Sequence, residues 1–365
     1  MTEKEIVKSR LANQLLVGSK AKSPADVVEQ LVGIHAQDYA GSELSIGVRL
    51  RGSNLIDIEE AIAEREIVRT WAMRGTLHFI AGRDMRWILK LLAPPMIIAL
   101  ARRYKELDLD AAIFRKAESL LSKTLSGTKQ LARAELVSVL EKSGISCAGQ
   151  RAVFILHRAS LDRVICFGVN RDKQQTHVLF EEWVPESRQY GPEESLAQLA
   201  FRYFAGHGPA TIQDFIWWSG LKSGDANTGL ELARSSLEHV DNAGKRYWMP
   251  PHVSWPRVRS PVAHLLPGFD DFLLGYKDRG ASLNPTHARH LQRGGMFAPF
   301  ILIDGHVVGT WSKKVKRDEV IVSPQLFSPP DKATVKSITE AAQRYSKFIG
   351  LSPALVWKKS GSGFP

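Results

Sequence analysis

Cysteine is nearly absent from this 365-residue chain: it has two, Cys147 and Cys166. Two cysteines build neither a disulfide framework nor a zinc site, so the expected setting is a reducing compartment with buried thiols. Long apolar runs are missing too. The most apolar stretch, from Leu91 to Ala101, is short and interrupted by Pro94-Pro95, too short to span a bilayer. The N-terminus, Met1-Thr2-Glu3-Lys4-Glu5, carries acids and no apolar core, unlike a secretory signal. The expected location is therefore the cytoplasm, with no membrane contact. No glycine loop of phosphate-binding spacing occurs; Gly127-Thr128-Lys129 lacks the first glycine. His-Glu-x-x-His and Gly-x-Ser-x-Gly are also absent, which removes two common hydrolase chemistries. No cofactor and no metal is implied.

Acidic charge is in short supply. Lys and Arg number 49 against 38 Asp and Glu, a formal net charge of +11. That excess favours a polyanionic partner, nucleic acid ahead of an anionic membrane. Hydrophobic residues at 44% and charged residues at 24% describe a globular protein. The length suits two to four modules.

A recurring order of elements organises the chain: helices, then a two-stranded hairpin, three times. Glu3 to Leu16 reads as a helix. Ser23-Pro24 opens a second, with Val27, Val28, Leu31 and Ile34 at helical spacing to about Ile34. Ile56 to Glu66 is a third. Val68–Met73 and Thr76–Ile80 then flank Arg74-Gly75 as a hairpin. The second unit has helices at 112–125, 132–142 and 150–159 and strands at 163–169 and 177–183. The third has helices at 193–205, 211–219 and 229–238, then a wing at 239–249. Helices followed by a hairpin form the winged helix-turn-helix, a DNA-docking module. From Pro261 onward β-rich runs dominate, at 262–266, 298–303, 306–311 and 319–323, closed by a helix from Ala333 to Phe348. The tail Ser360-Gly361-Ser362-Gly363 reads as flexible. The expected class is α+β and mainly helical: tandem winged helices over 1–108, 109–188 and 189–258, and a β-rich domain over 259–365.

Candidate chemistry sits in a few polar clusters. In Gly33-Ile34-His35-Ala36-Gln37-Asp38, His35 and Gln37 point the same way if the backbone is extended. The bland alternative is a helix end where His35 meets the dipole. Arg74 on the first wing reaches a phosphate, or is an ordinary exposed turn residue. Asp270-Asp271 suits acid–base work or a cation, but adjacent acids also cap turns and helices. Lys313, Lys314, Lys316 and Arg317 form either a phosphate-binding edge or a solvated face.

Several of these stretches together resemble the AlkZ-like DNA glycosylases. The resemblance rests on Leu31–Gln37, on Thr70–His78, on Gly208–Phe215 with Trp217-Trp218-Ser219-Gly220-Leu221, on Leu265–Tyr276, and on Gly309-Thr310-Trp311. It covers nearly the whole chain. It implies tandem winged helices and a C-terminal β domain that form a concave basic surface for duplex DNA. The family's signature is Gln–apolar–Gln in its antibiotic-resistance branch and Gln–apolar–Asp in the branch that unhooks interstrand crosslinks. Here the matching residues are His35-Ala36-Gln37, so the second Gln is kept and the first is replaced.

The resemblance implies a monofunctional glycosylase that releases alkylated purines, such as N7-alkylguanine, bulky adducts or crosslinks. His35 and Gln37 are the expected catalytic pair. An imidazole of ordinary pKa near ~6.5 accepts a water's proton at neutral pH, and a carboxamide orients that water. DNA contacts are expected from Arg74, Thr76, His78, Lys277, Arg279, Lys313 and Lys314, with Asp38, Asp270 and Asp271 as further site candidates. The expected partner is double-stranded DNA bearing alkylated purines, bound by a monomer at the nucleoid. The competing reading is a winged-helix DNA-binding protein without catalysis. An enzyme on a non-DNA substrate is a third, against which the positive charge argues.

Overall fold

The computed structural model describes residues 1–358 apart from 173, 252–259 and 294–295. The expected tail at 360–363 and the expected boundary between 258 and 259 lie outside the described residues. The chain opens with α1 (Glu3–Asn13) and α2 (Pro24–Gln30), both closed at the front by capping boxes, Thr2 with Glu5 and Ser23 with Asp26. Next come β1 (Ile34–His35), α3 (Tyr39–Gly47), α4 (Leu55–Ala63), β2 (Ile67–Trp71) and β3 (Leu77–Ala81). A second stretch holds α5 (Gly82–Ala99), α6 (Ala101–Glu106), α7 (Ala111–Leu125), β4 (Leu131–Ala132), α8 (Arg133–Lys142) and α9 (Arg151–Leu161), followed by β5 (Ile165–Phe167), β6 (Thr176–Leu179) and α10 (Phe180–Trp183). A third holds α11 (Pro192–His207), α12 (Ile212–Ser219), α13 (Ser223–Ala233), β7 (Glu238–Asn242) and β8 (Lys245–Met249). The remainder is β9 (Ala263–Leu266), α14 (Asp271–Leu274), α15 (Pro285–Leu291), β10 (Gln292–Arg293), β11 (Met296–Phe297), β12 (Phe300–Ile303), β13 (His306–Val315), β14 (Glu319–Leu326), α16 (Lys332–Phe348) and β15 (Ser352–Leu355). The fold is α+β. Each of the hairpins β2–β3, β5–β6 and β7–β8 follows helices, and the last segment forms a five-stranded sheet ordered β15-β14-β13-β12-β9. Among the described residues no helix is long and apolar enough to cross a membrane.

The structure corrects three expected elements and adds a fourth. The helix expected to run to Ile34 stops at Gln30: Val32 takes a left-handed φ of 64°, and Ile34–His35 pairs antiparallel with β3 instead. Gly33 allows that pairing, because a Cβ there would meet Met73 Cε at 2.8 Å and the Phe79 carbonyl at 3.3 Å. The helix α3 was not foreseen; it follows Asp38 directly. Residues 180–183 turn into a helix rather than continuing a strand, with Phe180 and Trp183 buried. In the third unit the last helix spans Ser223–Ala233, not 229–238. Gly229 lies inside it, where a Cβ would stand 2.7 Å from the Leu196 carbonyl of α11.

Apolar packing joins these segments. One cluster combines the β2–β3 face (Val68, Ile80) and α5 (Trp87, Ile88) with α11 and α12 (Tyr203, Phe215, Trp218). A second buries Val27, Ile34 and Phe79 together with Leu265, Ile301 and Trp311 of the C-terminal sheet and Ile338 and Tyr345 of α16. A third, with Phe114, Leu136 and Ile155, is drawn from residues 104–165. The first hairpin thus has the third helical unit on one side and the C-terminal sheet on the other, so β1 lies at a three-way junction.

Helix α11 approaches that junction closely. Arg202 Nη2 donates to the Glu29 carbonyl at 2.9 Å, and a Cβ on Gly206 would fall 2.1 Å from the Gln30 carbonyl oxygen. Backbone cannot yield there as a flexible side chain would. Gly206→Ala is expected to destabilise the protein by about 1–3 kcal/mol, read as a lowered midpoint in urea. Gly191→Ala, whose Cβ would meet nothing within 4 Å, should leave the midpoint unchanged.

Candidate active site

The site is built on β1 and on the loop between β9 and α14. Extended pairing runs on from β1, since the Ala36 N–H donates to the Leu77 carbonyl at 2.7 Å. The strand ends at His35 and the chain bends at Gln37 and Asp38 on the way into α3. Ala36 is buried, and its carbonyl accepts two bonds from the Arg69 guanidinium, at 3.1 and 2.7 Å. Gln37 and Asp38 are exposed. Among the described residues nothing hydrogen-bonds the Gln37 carboxamide, so both its donor and its acceptor are free for a solvent molecule.

His35 is more enclosed than its ordinary titration would require. It is 5% exposed, stacked on the Phe269 ring (centroids 5.1 Å, planes 6° apart) and edge-on to His78 at 5.0 Å. Its Nδ1 is buried and has no partner among the described residues. Burial, reinforced by the nearby Arg74 charge, depresses its pKa to about 4. The expectation of an imidazole titrating near neutrality is thereby corrected: His35 stays neutral throughout the physiological range.

Asp270 and Asp271 are adjacent in sequence and opposite in character. Asp270 is fully buried, paired bidentately with Arg49 at 2.7 Å per bond, and also accepts from Ser45 Oγ at 2.7 Å and from the Phe272 N–H at 2.8 Å. Those partners overcome its burial and hold its pKa below the usual carboxylate range. With its oxygens so occupied it cannot serve acid–base work, and that candidate role is withdrawn. Asp271 is 2% exposed and accepts the His35 backbone N–H through Oδ2 at 3.1 Å. Burial and the neighbouring Asp270 charge push its pKa up to about 7. It fixes the main chain of the motif.

The remaining candidates divide between the site and elsewhere. His78 is 1% exposed and its Nδ1 lies 3.0 Å from the Thr76 carbonyl, so it packs under His35 and is out of reach of a phosphate; its place as a DNA contact is corrected. Thr76, half-buried, donates its hydroxyl to the Met73 carbonyl at 3.1 Å. Arg74 has a left-handed φ of 56° in a 3-10 turn and donates to the Trp217 carbonyl at 3.0 Å. Its guanidinium is 5.1 Å from the Trp217 ring centroid, and Arg279 approaches the same ring at 5.8 Å and Phe297 at 5.1 Å. Trp217 keeps 40% of its surface exposed. Lys277 is exposed, its backbone N–H held by Asp214 Oδ1 at 2.9 Å. Lys313 and Lys314 are exposed on β13; Lys313 lies near enough to lower the pKa of Glu43 on α3 and is 5.3 Å from the Tyr345 ring. Lys316 pairs with Glu319 at 3.0 Å, as a solvated face would.

Two participants escaped residue-by-residue reading. Phe269 and Trp217 belong to stretches that sequence inspection singled out, yet only contact geometry shows one stacked on His35 and the other beneath two arginines. An exposed aromatic next to cations carries no periodicity signal of its own.

A carboxyl whose pKa rises on folding favours folding as it takes up a proton. Asp271 therefore adds stability as pH falls from about 7 toward its ordinary value of 3.8, the reverse of the trend for Asp270. Asp271→Asn keeps an acceptor for His35 and removes the titration. Its melting temperature is expected to exceed that of the parent protein by a few degrees at pH 8, with the gap narrower at pH 5.5 and closed near pH 4, as scanned by fluorimetry.

Comparison with known proteins gives concordant results. The model for the family described as DNA glycosylase AlkZ-like matches residues 28–348. The chain is 26% identical over 379 residues to an interstrand DNA cross-link repair glycosylase of Streptomyces sahachiroi, covering 94% of this chain and 95% of that protein. It is similar in structure to the Streptomyces sahachiroi DNA glycosylase AlkZ, with a TM-score of 0.80 over 98% of this chain and 100% of that one, at 23% sequence identity. At that identity the structural likeness speaks to fold.

Proposed function

Because this chain belongs to the AlkZ-like DNA glycosylase family, a family of hydrolases of N-glycosyl bonds, we propose that it releases alkylated purines from duplex DNA, with His35 and Gln37 sharing the attacking water. The observation that carries this reading is the placement, two residues apart, of an exposed carboxamide unengaged among the described residues and of His35, whose backbone N–H is held by Asp271 and whose ring stacks on Phe269. Duplex DNA is the substrate and the nucleoid the place of action. N7-alkylguanine, including bulky and crosslinked forms, is the lesion class.

The chemistry asks little of a base. A purine alkylated at N7 is already cationic and leaves without a general acid, through an oxocarbenium-like sugar. Water adding to that cation becomes an oxonium, far more acidic than an imidazolium of pKa about 4. The depressed His35 is therefore basic enough to take the proton once attack has begun. Gln37 accepts a hydrogen bond from one water O–H through Oε1 and donates its N–H toward a lone pair, setting the angle of approach. Trp217, Arg74 and Arg279 offer an aromatic face and two cations nearby, suited to a base or phosphate held without deep extrusion. Such an open site favours bulky adducts that cannot be flipped into a closed pocket.

The burial of His35 favours a second reading, a lesion-binding protein without catalysis. A release assay on N7-methylguanine duplex and on crosslinked duplex separates the two. Gln37→Ala is expected to lose about 100-fold in single-turnover base release while duplex affinity stays within about twofold. Persistent excision in that variant would reject the assignment, and tight binding without release by the unaltered protein would favour the second reading.

The pH profile tests the proton acceptor. The active form has neutral His35, present above its folded pKa and lost as pH falls through about 4. Release from pH 5.5 to 8 should be flat, and the profile of Asp271→Asn should superpose on it. An inflection near 7 that Asp271→Asn abolishes would transfer the role to that carboxyl.

A further inference from the structure

Behind the β9 end of the site, a cavity of about 570 Å³ opens between the loop at 15–19, the segment at 47–53, β9 and α16. Its walls include the buried Leu16, Leu265, Ala341 and Phe348. Gly47 lets Phe348 close one side, because a Cβ there would overlap the ring at 2.3 Å. This volume lies within the ~300–1,000 Å³ of small-molecule sites.

The polar lining is one-sided. Arg49, Arg51, Arg344 and Lys347 contribute to it, and no Asp or Glu does. Arg49 is neutralised by Asp270 at 2.7 Å with both side chains fully buried. Among the described residues Arg51, Arg344 and Lys347 form no ion pair within 4 Å, and Arg344 spends one Nη2 donor on the Ala263 carbonyl. His264 lines the same space, 8% exposed, with a buried Nε2 that has no hydrogen-bond partner among the described residues. Its own burial and the Arg344 charge keep the imidazole neutral, with a pKa down to about 3, so one ring nitrogen is a donor and the other an acceptor. A polar atom left unpaired in an apolar wall is costly unless something satisfies it.

We infer that this cavity binds a small organic anion, an apolar ring or chain carrying one carboxylate or phosphate, its body against Leu265 and Phe348 and its acidic group among Arg51, Arg344, Lys347 and His264. A neutral apolar molecule would leave three cations unmatched, and a bare inorganic anion would leave the apolar walls wet. The cavity is distinct from the candidate active site: the buried Arg49–Asp270 pair stands between them, Arg49 lining the cavity and Asp270 preceding the residue that holds His35. The inference stands independently of the proposed glycosylase activity.

Calorimetric titration of the full-length protein with 1-naphthoate, and separately with the neutral 1-naphthylmethanol, tests it. One equivalent of the acid should bind at least tenfold tighter than the alcohol. The double variant Arg51→Gln/Lys347→Gln, both positions exposed, should lose at least fivefold of that affinity. The control Lys313→Gln/Lys314→Gln on β13 should lose none. Equal affinity for acid and alcohol, no binding at millimolar concentration, or equal weakening in the two double variants would overturn the proposal, the last by showing attraction to surface charge alone.

Discussion

One buried ion pair organises the centre of this molecule. Arg49 and Asp270 meet bidentately with neither side chain exposed. Arg49 also donates to the Gln14 carbonyl, the Gln14 Oε1 and the Ser45 carbonyl. Gln14 Nε2 passes the network to the Tyr276 hydroxyl at 2.9 Å, which donates onward to the His207 carbonyl at 2.7 Å. Arg10 lies 3.8 Å above the Tyr276 ring and bonds the Pro209 carbonyl. The segment after α1, the end of α3, the end of α11 and the β9–α14 loop are thus held by a single hydrogen-bonded network centred on the ion pair. Charges this deep gain little net stability over a well-packed apolar set, but removing one partner leaves the other uncompensated, at a cost of about 3–5 kcal/mol. What the pair supplies is position.

Position is what the site needs. Asp270 fixes the loop, and Asp271, one residue on, then has no choice but to face β1, where it accepts the His35 N–H. Stacking by Phe269 from the same loop seats the imidazole. The consequences are electrostatic: the paired aspartate is held ionised, the unpaired one is pushed toward neutrality, and the histidine is kept uncharged. The proposed activity, release of a cationic purine from polyanionic DNA, gains from this, since the candidate site pairs a neutral carboxamide and a neutral imidazole with the cations Arg74 and Arg279 nearby.

The presence of His35 where the sequence resemblance implies a glutamine fits the same logic. Either side chain offers an uncharged acceptor and donor near a water. A histidine would differ sharply from glutamine if it were protonated at neutral pH, and burial against Phe269 and His78 prevents that. The substitution is chemically mild because the surroundings have removed the property that usually distinguishes histidine.

Much of this was legible in the sequence, because its causes are local. Helical patterns mark α7, α11 and α16, and Ser23-Pro24 marks the start of α2; the Arg74-Gly75 turn marks the first hairpin; long matched stretches such as Leu265–Tyr276 mark the family. What the tertiary structure alone decided has causes far apart in the chain. That α2 stops at Gln30 depends on β3 offering His35 and Ile34 a partner more than 40 residues away, a competition that helical spacing cannot register. The separate fates of Asp270 and Asp271 depend on Arg49, some 220 residues earlier, and the burial of His78 and the pKa of His35 depend on which rings fold over them. Sequence carries the propensities of a residue; the dielectric and partners around it exist only once distant segments have met.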